Sequence, residues 1–342
     1  MLPPDANRND GPSVGRFRRW TAIAVAAAAL GYTAYAVLRG VNETGAELVG
    51  FDWWLTAPVL ALTLVNYGLR FVKWRSLLRG LGIQVPWRQD AILFTTGLAM
   101  VVTPGKAGEL LKPWLVRRVT GAPLHDTIPA LVTERLMDGI AVVLLATYGV
   151  GTFYAEGRAA VLGTLAVMLG GVALLMVRPL VDGVLDLVDR VPLVRRLVPR
   201  LRGAYDAMRV CLAPRSFAWA LSLSVVAWWA ECVGYWLVLR GLDVEGATLG
   251  ASTFLYAFAT VFGAPSPGGM GMADVALVEG MLAVVPDSTG GQALAAALLI
   301  RLATLWFGVA LGAVALLGID RWLPEAPAPL ETGRATSPIR TQ

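Results

Sequence analysis

Polar positions are sparse along this chain and come in clusters, and between them run apolar stretches of about 17 to 25 residues. That is the length a helix needs to cross roughly 30 Å of hydrocarbon at 1.5 Å per residue. Six full spans are predicted on this basis, at 20–38, 53–69, 128–150, 159–177, 217–239 and 292–318. Two further apolar segments, 91–118 and 252–285, are interrupted in the middle. The first passes from "MVVT" into "PGKAGELLKPWLVRR", and the second is broken by "APSPGGMG". Proline cannot supply a helix N–H and glycine permits a reversal of the chain, so both interruptions predict a helix that stops and turns back. The expected fold is an all-α polytopic membrane protein with six spans and two re-entrant broken helices.

Composition sharpens this picture. Hydrophobic residues make up 56% of the 342 and charged residues 15%, whereas soluble domains carry nearer a quarter charged. The first apolar segment, preceded by "RFRRW", has a small-residue site at Ala34 to Ala36 that a signal peptide would use, but its 19 apolar residues suffice for a retained span. Cys211 falls in a basic loop and Cys232 inside a span, so neither a disulfide nor a metal site is expected. His125, the single histidine, has no partner at ligand spacing and reads as a span-boundary residue. No cofactor is implied.

Lysine and arginine set the orientation, because positively charged loops resist translocation. Of the 29, 24 fall in segments that alternation puts on one side, three on the other (Arg39, Arg158, Arg240), and Arg135 and Arg301 lie inside spans. Both termini are then cytoplasmic: residues 1–19 at the start, and a proline-rich, disordered tail at 319–342. Between them lies one membrane domain, 20–318, with a basic cytoplasmic loop at 178–216. Within that loop, 190–209 reads either as an interfacial helix on the anionic inner leaflet or as a solvated loop. The basic residues are spread among spans rather than gathered on a soluble domain, which argues against nucleic acid as a partner.

Alternation of sides makes 91–118 enter and leave from the cytoplasmic face, and 252–285 enter and leave from the outer face. The two interruptions share a pattern. Pro104, Gly105, Gly108 and Glu109 correspond to Pro267, Gly268, Gly271 and Asp274, with Lys106 and Gly269 inside the two breaks. A span bearing an arginine follows each, Arg135 at 31 positions after Pro104 and Arg301 at 34 after Pro267. Such a pair of discontinuous helices predicts an inverted repeat with a polar pocket near the membrane midplane.

Charges inside spans point to the same pocket. Glu134, Arg135 and Asp138 in "ALVTERLMDG" would each cost at least about 2.5 to 3.5 kcal/mol in hydrocarbon unless paired or wet. Glu134 and Asp138 share a helix face, and Arg135 can pair with Asp138. One reading is a purely structural ion pair. In the other, Arg135 or Arg301 holds a phosphate while Glu134 and Asp138 set arginine geometry or carry a coupling proton. Glu109, Lys112 and Asp274 lie just past the breaks and are placed in the same cavity. Glu231 is a further intramembrane acid without a motif partner, and Arg70, Lys73 and Arg75 read as snorkelling anchors at a span end.

At "VTPGKAGELLKPWLV", "ALVTERLMDG", "LRFVKWRSLLRGLG" and "SPGGMGMAD" the chain resembles the membrane region of lysylphosphatidylglycerol synthases and the wider group of flippase-like membrane proteins, over most of residues 15 to 320. The resemblance implies an inner-membrane protein that moves a lipid between leaflets, with Glu109, Glu134, Arg135, Asp138 and Arg301 as pocket charges. Asp274 stands where family members commonly carry glutamate. The chain stops soon after the last span, so the soluble aminoacyl-transfer domain of the full-length synthases, and with it synthesis of lysylphosphatidylglycerol, is not expected. No phosphate-cradling loop or zinc motif suggests an enzyme. A lipid translocase acting on a phosphate-bearing headgroup is the expected function. An integral-membrane transferase for a lipid-linked sugar and a non-catalytic partner of a separate lipid-modifying enzyme are the alternatives.

Overall fold

The computed structural model describes residues 44–103, 108–153, 158–190 and 195–322, together with Ile23 and Ala26. Among the described residues the chain is helical throughout, with no strand. After a short helical stretch at 44–50, twelve helices of ten residues or more organise the described part: α1 (Thr56–Gly80), α2 (Trp87–Ala99), α3 (Leu111–Thr120), α4 (Leu124–Phe153), α5 (Arg158–Met176) and α6 (Arg178–Asp189), followed by α7 (Val198–Cys211), α8 (Pro214–Gly241), α9 (Leu249–Phe262), α10 (Met272–Val284), α11 (Gly290–Arg301) and α12 (Phe307–Trp322).

Four described helical stretches are long and apolar enough to cross a membrane: Trp53–Gly80, Arg158–Met176, Pro214–Gly241 and Gly290–Ile319. These match four of the six predicted spans. The predicted span 128–150 lies within α4, a 30-residue helix that carries four charges in its first half and is not among the four. The span 20–38 lies outside the described residues, Ile23 and Ala26 apart. Residues 319–322, expected in a disordered tail, form the last turn of α12 instead.

Both interrupted segments are helix–break–helix units. In the first, α2 ends in a 3-10 turn at Met100–Val102 and α3 resumes at Leu111. The Lys112 ammonium of α3 lies 4.9 Å from the Phe94 ring of α2, so the two halves fold against each other. In the second, α9 gives way to a 3-10 turn at Pro267–Gly269 before α10. Gly268, Gly269 and Gly271 have φ of 59°, 75° and 77°, a region that penalises any Cβ. A Cβ on Gly268 would also lie 3.3 Å from Val102 of the first hairpin, so the two breaks meet.

The basic segment 178–216 is two helices rather than an open loop. On α6, Leu180, Val184 and Leu187 recur at helical spacing and are all exposed, while Arg178 pairs with Asp182 on another face. Of the predicted interfacial stretch 190–209, residues 198–209 belong to α7.

Most of the apolar core of the described residues is in two parts. One gathers buried residues of α8 to α11 with Leu55 and Val59 at the start of the first span. The other gathers the C-terminal half of α1 with α2, α3, α4 and the end of α12. Small residues bring helices close where side chains would hold them apart. Gly312 of α12 sits against α2, where a Cβ would lie 2.8 Å from both the Ala99 Cβ and the Thr95 carbonyl oxygen. Backbone cannot yield as a flexible side chain can, so Gly312→Val should destabilise the fold by about 1–3 kcal/mol or more. A thermal-unfolding curve of the detergent-solubilised protein unchanged by the substitution would contradict this close approach.

Candidate functional site

Where the two cores and the two breaks meet, a cavity of about 420 Å³ opens, walled by α1, α4, α5, α8, α9 and the turn after α11. Six charged side chains face it: Arg70, Arg135 and Arg301 against Glu109, Asp138 and Glu231. Each hairpin contributes an acid just past its break, and each acid meets the arginine of a later helix. Glu109 Oε2 accepts from Arg135 Nε at 2.7 Å. Asp274 Oδ1 lies 2.9 Å from Arg301 Nε. The separations are 26 and 27 residues, so the correspondence drawn between the segments reappears as two equivalent acid–arginine pairs.

Local folding explains the second pair. Gly271 caps α10, and its N–H donates to Asp274 Oδ2 at 2.8 Å, which fixes the carboxylate at the helix start. Arg301 closes α11 and donates through Nη2 to the Gly268 carbonyl, so one guanidinium ties the hairpin tip to the spanning helix. A π turn, Leu302–Trp306, follows at once. Such one-residue insertions rotate side chains out of the helical register and recur at functional sites. At the first break, the Gly108 N–H donates to Thr103 Oγ1 at 3.0 Å; Pro104, Gly105 and Lys106 lie outside the described residues.

Behind the cavity wall lies a buried charge network. Lys73 is fully buried and bonds to Asp138, to Ser224 Oγ at 2.8 Å and to the Glu134 carbonyl at 3.4 Å. Ser224 donates to Asp138 Oδ1 at 3.0 Å, and Arg70 Nε lies 3.4 Å from Asp138 Oδ2. Lys112 donates to Glu134 Oε2 at 2.6 Å and sits 3.9 Å from the centre of the Trp74 ring, a cation–π contact.

Of the predicted site residues, Glu109, Arg135, Asp138, Gly268, Gly269 and Arg301 line the cavity. Lys112 and Glu134 do not; they neutralise each other behind it. Asp274 does not line the cavity but pairs with Arg301, which does, and Pro267 and Gly271 shape the tip. Arg135 turns mainly to Glu109, while the predicted contact with Asp138 is a longer 3.9 Å.

The snorkelling reading of Arg70, Lys73 and Arg75 is overturned. The apolar run ends at Leu69, but α1 continues to Gly80, which carries the three cations into the protein instead of leaving them at a helix end. Arg75 is held by Asp90 Oδ2 at 2.8 Å and by the Val85 carbonyl. Glu231 acquires a partner the sequence did not name, the Tyr256 hydroxyl, which donates to Oε2 at 2.7 Å. Among the described residues no three His, Cys, Asp or Glu side chains cluster as metal ligands, and both cysteines are free. Burial pushes the Cys211 thiol up to about 11, so it stays protonated at neutral pH.

A model of the family described as the lysylphosphatidylglycerol synthase TM region matches residues 19–312, which takes in both hairpins and all six cavity charges. The chain belongs to this family. It is also similar to a "UPF0104 membrane protein" of Methanothermobacter thermautotrophicus, 26% identical over 287 residues, or 77% of this chain and 83% of the relative. No solved structure matches. As a lysylphosphatidylglycerol synthase TM region the chain is a multi-pass membrane protein with a lipid-related role, and six of its charges line the cavity.

Proposed function

We propose that the chain is a lipid translocase of the inner cell membrane, with both termini cytoplasmic, and that the cavity between the hairpin tips takes a phosphate-bearing headgroup. In this reading the two hairpins are an inverted repeat and their meeting point lies near the membrane midplane. The observation that carries it is the cavity with three arginines on its wall inside an otherwise apolar chain. Intramembrane charge is expensive and is retained where it faces a polar substrate path. Arginine presents a planar fork of donors that matches phosphate oxygens. Chemistry is not assigned to the site, and the partner is a membrane lipid, alone or supplied by a separate lipid-modifying enzyme.

Size and wall agree with a headgroup-in, tails-out passage. About 420 Å³ accommodates a small polar headgroup but not two acyl chains. The tails then need a side opening. Helix α5 supplies Thr164 and Met168 to the wall, yet has no buried residue of its own. A wall packed this lightly can part toward lipid, so tails stay in hydrocarbon while the headgroup crosses.

Reconstitution tests the reading. Vesicles holding the purified protein and a trace of phosphatidylglycerol labelled on an acyl chain should lose label to a membrane-impermeant quencher beyond the half that belongs to the outer leaflet. Protein-free vesicles should stop at that half. Bleaching that also stops there with the protein present, for phosphatidylglycerol, phosphatidylethanolamine and an aminoacylated phosphatidylglycerol alike, would reject translocation.

A further inference from the structure

Sorting the charges around the cavity leaves one acid over. Glu109 lies against Arg135, Glu134 against Lys112, and Asp274 against Arg301. Asp138 meets two cations, Lys73 and Arg70. Among the described residues four acids therefore face five cations, a surplus of one positive charge. Glu231 is the fifth acid. It is buried on α8 and lines the cavity, and among the described residues its carboxyl has a single hydrogen-bond partner, Tyr256, and no ion pair.

The groups facing Glu231 come from every neighbouring element. Tyr67 and Arg70 approach from α1, Asp138 from α4 and Tyr256 from α9. Arg301 approaches from α11, and Cys232 adjoins it on α8. Thr304, on the π turn, backs the Tyr256 hydroxyl at 3.3 Å. Arg70 and Arg301 act on Glu231 at a distance, and Arg70 is already engaged with Asp138, Arg301 with Asp274.

Resting on the reading of the cavity as an anion-accepting headgroup site, we propose that Glu231 takes up a proton when that headgroup binds, so that one negative charge and one proton occupy the cavity together. With Glu231 ionised these charges sum to zero, and an incoming phosphodiester would add an unbalanced negative charge beside a buried carboxylate that has no ion-pair partner of its own among the described residues. Like charges at such a site cannot both stay ionised cheaply. With Glu231 protonated the cluster carries one positive charge, which the phosphodiester monoanion neutralises. The proton comes from water and sits on the carboxyl, no covalent bond of the headgroup changes, and the pair leaves as it entered. Headgroup movement is thereby tied to proton movement, and a proton gradient sets its direction.

Dihexanoyl-phosphatidylglycerol, a soluble phosphodiester, tests this with the full-length protein in detergent. The native protein should bind it with affinity that falls about tenfold per pH unit once Glu231 ionises, and should take up about one proton per ligand bound in weakly buffered solution. Glu231→Gln, which leaves Tyr256 an acceptor and keeps the side chain neutral, should bind with no such fall and no proton uptake. Tyr256→Phe removes the donor that favours the ionised form, so the fall should begin at higher pH. This second variant decides the matter should the first not fold. Binding by the native protein with no proton uptake, or the same pH dependence in Glu231→Gln or Tyr256→Phe as in the native protein, would overturn the coupling and leave the translocase reading standing. No binding by native protein at any pH would overturn both.

Discussion

Arg301→Ala, compared with the native protein at matched inserted amounts, should move labelled phosphatidylglycerol no faster than empty vesicles do. Arg301 touches a hairpin tip, an acid past the break and the cavity at once, through Gly268, Asp274 and its own guanidinium face. Losing a buried, charge-assisted contact of this kind costs about 2–5 kcal/mol, or roughly 30- to 5000-fold in a rate that depends on it. Arg301→Lys separates charge from geometry. It keeps the cation beside Asp274 but loses the fork, and should retain a small part of the activity. Normal transport by the alanine protein would remove Arg301 from the site.

The second large effect is on stability. Asp138→Ala leaves Lys73 fully buried with only Ser224 and a carbonyl for company, and leaves Arg70 without its carboxylate. Stranding buried charge costs about 3–5 kcal/mol, a large share of what holds a domain folded. Thermal unfolding in detergent should drop accordingly, and steady-state abundance with it. The paired change Asp138→Ala with Lys73→Met removes both charges and should recover much of the loss, since neutral packing often matches a buried pair. A double variant as unstable as the single one would mean that the loss comes from packing and not from charge.

Much of the cavity could be read in the sequence because its residues break local rules. Pro267 and the glycines after it interrupt an apolar run, and Arg135, Asp138 and Arg301 are charges where a span should have none. Such violations are visible without coordinates. Lys73 broke no rule that a linear reading could see, since a cation a few residues past an apolar run looks like an anchor. Only the continuation of α1 to Gly80 and the packing of α4 and α8 around it turn Lys73 inward. The sequence places Lys112 and Glu134 at the cavity, but that they turn to each other behind its wall depends on tertiary contacts between α3, α1 and α4. The same holds for Glu231, whose partner Tyr256 is 25 residues away on another helix.

The order of these charges along the chain bears on how the protein is made. A helix with Glu134, Arg135 and Asp138 near its start is a poor candidate for entering lipid by itself. Every counter-charge it needs lies upstream: Arg70 and Lys73 on α1, Glu109 at the first break and Lys112 on α3. Because synthesis runs from the N-terminus, those groups leave the ribosome first. When α4 emerges its partners already exist, and the same holds for Arg301, which follows Asp274. Helices are thus delivered in a sequence that lets each charge be met on arrival, so the pocket is assembled during biogenesis without any bare ion having to wait in the bilayer.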